Sequence, residues 1–423
     1  QAEMILQETN FASAMANVLA RLGVEANQVK NYIKPSLRDL MPNPLKILDM
    51  EKAASRINIA VNNHERIAIF ADYDVDGATS GALLHDWLTQ LGNIPTLYVP
   101  DRIEEGYGPN IVAMETLANV HDLIICVDCG TLSHETINKI TNTDIIILDH
   151  HLGGETLPNA YAVVNPNRQD EKGDLYYLCA AGVVFLTLVA ANSITRNNNK
   201  STPDLLNMLD LVALGTVADV APLVGFNRAL VRQGLKVMAK RERIGITALS
   251  DIAKMNNAPS PYHLGYLLGP RINAGGRVGK ADLGIRLLTC KNFDEANSIA
   301  DKLNQLNDER RSIEATVQIQ ALEQVEKMDS NSALAWAAGE GWHPGVVGIV
   351  ASRIKEITNK PTVVIGLDEH EGKGSGRSIS GIDLGSSIAT LQRENLIIRG
   401  GGHKMAAGLS LEREKLEIAM SRL

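Results

Sequence analysis

The residues of this chain best suited to chemistry sit directly after short apolar runs. Asp72-Tyr73-Asp74-Val75-Asp76-Gly77 follows Ile67-Ala68-Ile69-Phe70, and Asp128 closes Leu123-Ile124-Ile125-Cys126-Val127. Asp149-His150-His151 closes Ile145-Ile146-Ile147-Leu148, and Asp219 ends the apolar segment 211–218. Carboxylates clustered without a cation repel, so such a group needs a metal or a basic partner. Hard oxygens mixed with imidazole nitrogen suit Mn²⁺ or Mg²⁺ better than a thiolate-loving metal. Together the stretches describe a site for two metal ions.

Blander readings compete with this one. Asp-x-Asp-x-Asp-Gly could open a calcium loop, but that motif wants a Glu six residues past the Gly, where Leu83 stands, and a helix before it. Asp128 could cap the helix after Leu132, and Asp219 could cap the end of its own segment. Cys126 and Cys129 resemble half a zinc site without a second pair. Cys179 and Cys290 read as buried small hydrophobes, and His64, His85, His121 and His370 as packing or surface residues.

The elements that must carry these residues are legible from pattern. Each apolar run is short, β-branched and unbroken, as in a strand buried on both faces of a parallel sheet. Strands alternate with helical segments over about 66–170, at 67–70, 97–99, 123–127, 145–148 and 162–164, in βαβ fashion. Polar groups at the carboxyl ends of such strands converge on one crevice. Residues 1–65 read as helical, broken at Pro35, Pro42 and Pro44, and a second helical region reaches about 250 with a nearly all-apolar stretch at 205–217. From Phe293 to about 328 there is neither Gly nor Pro, and apolar residues recur at helical spacing. A helix of ~36 residues would run ~54 Å and act as a spacer between two domains. The tail has its own strands at 333–337 and 362–367 among Gly-rich turns.

At 423 residues the chain is too long for one ordinary core. Its 45% hydrophobic and 21% charged residues suit a globular protein. No apolar stretch approaches the ~18 residues that span a bilayer. No signal-peptide pattern is seen, and the cysteines lack a disulfide spacing, so a cytoplasmic setting is expected. The formal charge of −8 argues against a polycation that coats nucleic acid. It does not exclude a locally basic groove, and basic residues do gather at Lys240, Arg241 and Arg243, at Arg353, Lys355 and Lys360, and at Lys373, Arg377, Arg399 and Lys404.

In order and context, Asp72 to Gly77, Asp128, Asp149-His150-His151 and Asp219 resemble the four motifs of the DHH phosphoesterase superfamily. Longer stretches are similar to its single-strand-specific 5′→3′ exonuclease branch. They include Pro100-Asp101-Arg102 with Glu105-Gly106-Tyr107-Gly108, Asn165-Pro166-Asn167, Leu214-Gly215-Thr216-Val217-Ala218-Asp219, and Gly269-Pro270-Arg271-Ile272-Asn273-Ala274 with Gly276-Arg277. Trp342-His343-Pro344-Gly345, Gly374-Ser375-Gly376-Arg377-Ser378 and Gly400-Gly401-Gly402-His403 continue the likeness into what resembles the DHH-associated domain. The expected fold is α/β: a parallel-sheet DHH catalytic domain over 1–285, a long connecting helix over 286–329 and a smaller α/β substrate-binding domain over 330–423, with a cleft between the two domains. Larger family members continue into an oligonucleotide-binding fold beyond the point where this sequence stops.

The resemblance implies residue roles. Asp128 bridges two ions, one held also by Asp72 and Asp74, the other by Asp76, His150 and Asp219. His151 orients the site or contacts the scissile phosphate. Arg102, Arg277, Ser375 and Arg377 read a 5′-terminal phosphate through charge-assisted bonds, and His403 contacts the backbone, with Gly400 to Gly402 letting the strand approach closely. Phe70 stands where the superfamily often has a histidine ligand, for which Asp72 is the candidate substitute; Cys129 and Gly275 also depart from the common Asn and Ala. The implied partners are single-stranded DNA with a 5′-phosphate, a single-strand-binding protein and a helicase, with the enzyme a monomer acting in DNA repair and recombination. Two alternatives remain. An oligoribonuclease-like phosphodiesterase would act on short oligomers without fixed direction, and a non-catalytic nucleic-acid-binding scaffold would have lost carboxylates that are all present here.

Overall fold

The computed structural model describes residues 1–197, 200–329 and 332–423, so the domain boundary expected at 330 lies outside the described residues. The chain forms two compact units: Gln1–Gly276 with Lys280–Asn304, and Arg277–Gly279 with Gln305–Leu423. The overall class is mixed α/β.

In the first unit five parallel strands run β1 (Ile67–Ala71), β2 (Thr96–Tyr98), β3 (Leu123–Val127), β4 (Asp144–Leu148) and β5 (Ala162–Val164), ordered β2-β1-β3-β4-β5. Every residue of β1 and β3 is buried, which explains why their sequences show no polar alternation. On one face Met114, Leu117, Ile137 and Ile147 share a core with Phe70 and Cys126. The helix Val75–Gln90 packs on β1 and also meets the helix Ala180–Asn197, where the Trp87 indole N–H donates to Asn192 Oδ1 at 2.8 Å. Because β2 lies on one side of β1 and β3 on the other, the strand order reverses between β1 and β3. In open α/β sheets that reversal opens a crevice outside the carboxyl ends of the strands.

The second unit holds a mixed sheet: β6 (Ala335–Glu340), β7 (Thr362–Leu367), β8 (Glu371–Arg377), β9 (Arg399–His403) and β10 (Ala406–Glu412), ordered β6-β7-β8-β10-β9. Only β6 and β7 pair in parallel. The alternating glycines of β8 have a packing cause. A Cβ on Gly372 or Gly374 would press on Ile365, and one on Gly376 on Leu384. Side-chain alternation along the strand then puts Lys373, Ser375 and Arg377 on the opposite face.

The long helix spans Phe293–Glu326, of which 293–304 belongs to the first unit and 305–326 to the second. The helical stretch expected at 205–217 is a 3₁₀ turn, Leu205–Met208, followed by an α-helix, Leu209–Ala218. Two smaller expectations need correction. Arg243 is not part of a basic surface: it is buried between Asp86 and Asp210, 2.7 Å from a carboxylate oxygen of each. Cys290 is half-buried rather than buried.

Candidate metal centre

The ends of three adjacent strands are level. Ala71 pairs with Val127, and Val127 with Leu148, so Asp72, Asp128 and Asp149 each follow the same rung of the sheet. The ladder continues through them: the Asp72 amide donates to Val127 O, Asp128 to Leu148 O and Asp149 to Val164 O. Neighbouring strands lie ~4.8 Å apart, which brings the carboxylates of different strands within reach of one cation. Asp128 has φ +63°, a left-handed conformation that is strained for a side-chain-bearing residue and is typical of functional sites.

Around this rung the loop 72–77 turns back on itself. Asp74 caps the helix Val75–Gln90, its Oδ1 accepting from the amides of Asp76 (2.9 Å) and Gly77 (3.1 Å). A Cβ on Gly77 would collide with the Asp72 carbonyl, so the residue closing the motif must be glycine. Asn273 Oδ1 accepts from the Val75 amide at 3.1 Å and fixes the loop from outside. Asp76 accepts from the amides of Ala180 and Ala181 at the start of the helix Ala180–Asn197. Asp219 follows the helix Leu209–Ala218, which approaches Asp76 closely because Gly215 carries no side chain.

These elements gather three ligand groups, each with donor atoms mutually within 4.8 Å: Asp72, Asp74 and Asp128; Asp76, His150 and Asp219; and Asp128, His150 and His151. His150 Nε2 lies 3.2 Å from Asp128 Oδ1, 3.7 Å from Asp76 Oδ2 and 3.8 Å from Asp219 Oδ2. Buried polar atoms are normally hydrogen-bonded, yet Asp72 Oδ1, Asp128 Oδ1 and His150 Nε2 are buried without a hydrogen-bond partner. Burial, reinforced by neighbouring carboxylates, pushes Asp72 and Asp128 well above the ordinary carboxylate range and Asp219 up to about 8. Unpartnered acceptor atoms from several buried carboxylates and an imidazole are the donor set of a divalent-cation site, and these residues fit one.

His151 belongs to a different arrangement. Its Nδ1 is 2.8 Å from Asp149 Oδ1 and 3.1 Å from the Tyr107 hydroxyl, which also donates to Asp128 O at 3.1 Å. Burial alone would lower the His151 pKa, but the bond and charge of Asp149 outweigh it and raise it to about 9. Asp149 also accepts from the amides of His150 (2.7 Å), Thr131 (3.1 Å) and His151 (3.2 Å). Asn165 and Asn167 hold the carbonyls of His151 and His150. Sequence reasoning places Tyr107, Asn165, Asn167 and Gly215 in motifs without giving them roles; their position beside the acidic motifs is the available signal. The thiols of Cys126 and Cys129 are pushed up by burial and are hydrophobic packing.

Arg102 lies in the first unit with its guanidinium 5.2 Å from the centre of the Tyr73 ring. Arg277, Ser375, Arg377 and His403 lie in the second. There Arg277 Nη1 donates to Gly345 O (3.0 Å) and His343 Nδ1 accepts from the Gly345 amide (3.0 Å), both at the start of the helix Pro344–Thr358. One turn on, a Cβ at Gly348 would come 3.0 Å from Ser375 Oγ and 3.1 Å from Arg377 Nη2, so this helix lies against both. Arg377 Nη1 donates to Ser375 Oγ at 2.9 Å. A helix N-terminus beside two guanidinium groups suits a phosphate. His403 sits two strands from Arg377 at the same register, through Ala406. The glycines before it serve the protein's own packing: Gly400 faces Ile388 and Ile397, Gly402 faces Ala406 and Ala407, and only Gly401 faces open space.

Residues 66–216 match the DHH family N-terminal domain, and residues 329–423 match the DHHA1 domain. The single-stranded-DNA-specific exonuclease RecJ of Escherichia coli (strain K12) is 39% identical over 430 residues, covering 96% of this chain and 73% of that protein. A crystal structure of exonuclease RecJ bound to manganese superposes with a TM-score of 0.78 at 32% identity, covering 89% of this chain and 93% of that one. RecJ of Thermus thermophilus in complex with Mn²⁺ gives 0.85 at 29% identity, covering 100% and 60%.

Proposed function

Because the chain belongs to the RecJ family of single-stranded-DNA-specific exonucleases, we propose that it hydrolyses single-stranded DNA from the 5′ end to 5′-mononucleotides, using two Mn²⁺ or Mg²⁺ ions. The observation that carries the metal part is the trio of buried atoms that make no hydrogen bond, Asp72 Oδ1, Asp128 Oδ1 and His150 Nε2, converging from three strand ends. Asp72, Asp74 and Asp128 would hold one ion, and Asp76, His150 and Asp219 the other, with Asp128 shared. Such a pair, when bound, supplies Lewis-acid polarisation of a phosphate oxygen and a nucleophile at neutral pH.

The protein's own residues do the rest. Asp149 keeps His151 protonated and oriented, so His151 donates to an oxygen of the scissile phosphate and offsets charge that grows there. The Tyr107 hydroxyl lies near the same Nδ1 that Asp149 holds and links the His151 ring to the strained backbone at Asp128. Arg102 offers a cation beside the metal centre. Arg277, Ser375 and Arg377 bind the 5′-terminal phosphate, and His403 the backbone. In this reading residues 1–285 are the catalytic domain, 286–329 the connector and 330–423 the substrate-binding domain.

Among the described residues no helix is long and apolar enough to cross a membrane. We assign the enzyme to the cytoplasm, as a monomer working in DNA repair and recombination with a helicase and a single-strand-binding protein. The test is a time course on end-labelled DNA and RNA strands of several lengths, 5′- or 3′-blocked, with either metal. Release of mononucleotides from the 5′ end of DNA alone supports the reading. Equal rates on both blocked substrates, confined to very short oligomers, would replace it with an oligoribonuclease-like activity.

A further inference from the structure

Two exposed tyrosines in the first unit have no place in the chemistry above. Tyr262 and Tyr266 are 61% and 71% exposed, and their rings stack with centroids 5.2 Å apart and planes 25° from parallel. The His263 ring meets Tyr262 edge-on at 5.9 Å. Large aromatic side chains held together in water leave an apolar face that water solvates poorly.

The segment that carries them is anchored to the metal centre. Residues His263–Leu268 wind as a π-helix, a rare form that recurs at functional sites. A Cβ on Gly265 would lie 3.5 Å from Val217, and one on Gly269 would lie 3.3 Å from Ala218 Cβ. The segment thus packs on the last turn of the helix Leu209–Ala218, next to Asp219, tightly at Gly269 and in ordinary contact at Gly265. It continues into the helix Gly269–Val278, where Asn273 holds the Val75 amide and a Cβ on Gly276 would come 2.9 Å from the Tyr73 carbonyl. Ten residues of helix separate Tyr266 from Gly276, or ~15 Å.

The residue before Tyr262 in the chain leads to a basic groove. Pro261 lines a cavity of about 200 Å³ with Leu223, Arg228 and Arg232. A neighbouring cavity of about 670 Å³ shares Arg232 and Pro35, adds Lys34, Arg38 and Lys236, and has no Asp or Glu in its lining. Its floor is apolar, with Leu37, Met41 and the half-exposed Leu206.

We propose that this surface is a second nucleic-acid subsite: unpaired bases stack on Tyr262 and Tyr266, and the strand's backbone runs on into the groove beside Arg232 and Lys236. The inference rests on the single-strand reading above. Aromatic platforms joined to a cationic track are how proteins hold a single strand without reading its sequence, since every base offers a π-face and every linkage a phosphate. An acidic, apolar peptide would satisfy the groove alone and leave the stacked rings without a function, so the base-stacking occupant is favoured.

The test compares the wild-type chain with Tyr262→Ala/Tyr266→Ala and with Tyr262→Phe/Tyr266→Phe, which keeps the rings. Binding is read by fluorescence anisotropy on a strand of about twenty nucleotides protected by phosphorothioates, and hydrolysis on a 5′-phosphorylated dinucleotide. The Ala pair should weaken strand binding about tenfold, within the range for loss of one or two stacked bases, with dinucleotide turnover unchanged; the Phe pair should bind as wild type. An abasic tract placed in the strand should weaken wild-type binding and have no further effect on the Ala pair. Arg232→Glu/Lys236→Glu should lower the salt dependence of binding by about two counterions. Unchanged strand affinity in the Ala pair overturns the proposal, as does groove binding by an acidic peptide that strand DNA fails to displace. Failure of the wild type to hydrolyse both the dinucleotide and an unprotected strand of the same sequence overturns the exonuclease reading instead, because the binding measurement does not depend on turnover.

Discussion

A Cβ placed on Gly215 would lie 2.8 Å from Asp76 Oδ1 and 2.9 Å from the Ala181 Cβ. Gly215 therefore sets how near the helix Leu209–Ala218, and with it Asp219, comes to the carboxylate that Ala180 and Ala181 hold in place. In an exposed helix Gly→Ala would stabilise by about 1 kcal/mol. Here the overlap should reverse that sign. Gly215→Ala is expected to lower the melting temperature and to weaken Mn²⁺ binding about 10–100-fold, the usual cost of disturbing residues that orient metal ligands. Mn²⁺ titration by calorimetry checks this; wild-type affinity would mean that the helix relaxes freely.

Asp128, like His150, belongs to two of the three ligand groups, and burial with the neighbouring carboxylates pushes its pKa well above the ordinary range. Asp128→Asn should abolish hydrolysis while the metal-free protein unfolds at the same or a higher temperature, because a buried, unpaired acceptor has become neutral. The sign follows from linkage. Carboxylates whose folded pKa is raised make the metal-free protein less stable as pH climbs from about 4, the unfolded value, through the folded value, about 8 for Asp219. Mn²⁺ should therefore raise the wild-type melting temperature more at pH 8 than at pH 5, and hardly at all in Asp128→Asn.

The fold and the identity of the acidic residues are readable from sequence because both rest on local signals. Unbroken Ile, Val and Leu runs announce buried parallel strands, and an Asp directly after such a run announces its end. What sequence does not show is the level register of Ala71, Val127 and Leu148, which puts Asp72, Asp128 and Asp149 side by side and separates their roles. Asp72 and Asp128 keep an unpartnered oxygen, whereas Asp149 spends its own on three backbone amides and His151. The charge of Arg243 misleads for a similar reason. Its partners Asp86 and Asp210 are distant in sequence, and only the packed helices bring them together.

That cluster makes a separate, structural prediction. Arg243 is 2.7 Å from both Asp86 and Asp210, with Lys291 3.1 Å from Asp86. Burial would raise the Asp86 pKa, but His85, Arg243 and Lys291 together hold it well below the usual range. Arg243→Ala leaves two buried carboxylates short of their cation and should cost about 3–5 kcal/mol. A depressed carboxylate contributes stability above its unfolded pKa of about 3.9 and loses it as pH falls through the folded value. The gap between wild type and variant in urea unfolding should thus be full at pH 7 and shrink below about pH 4. A constant gap would place the cost in lost packing.

In the function proposed above, Arg377 is the residue that would convert a general phosphodiester hydrolase into one that starts at an end. Its guanidinium is already ordered, with Nη1 donating to Ser375 Oγ and to Gly376 O, and the helix Pro344–Thr358 lies against it through Gly348. Pre-ordering lowers the entropy lost when a phosphate binds. Hydrogen bonds to charged groups contribute roughly 1.5–3 kcal/mol each, about ten- to 150-fold in transition-state binding where they persist. Arg377→Ala should therefore slow cleavage of 5′-phosphorylated strands far more than of 5′-hydroxyl strands, and Arg377→Lys should restore only part of the difference, because an ammonium cannot bind two oxygens in a fork. Hydrolysis of a small activated phosphodiester should be unchanged, since no metal ligand is altered. Equal slowing of 5′-phosphate and 5′-hydroxyl strands would remove Arg377 from end recognition. It would leave the residue as a general backbone contact or a support for Ser375.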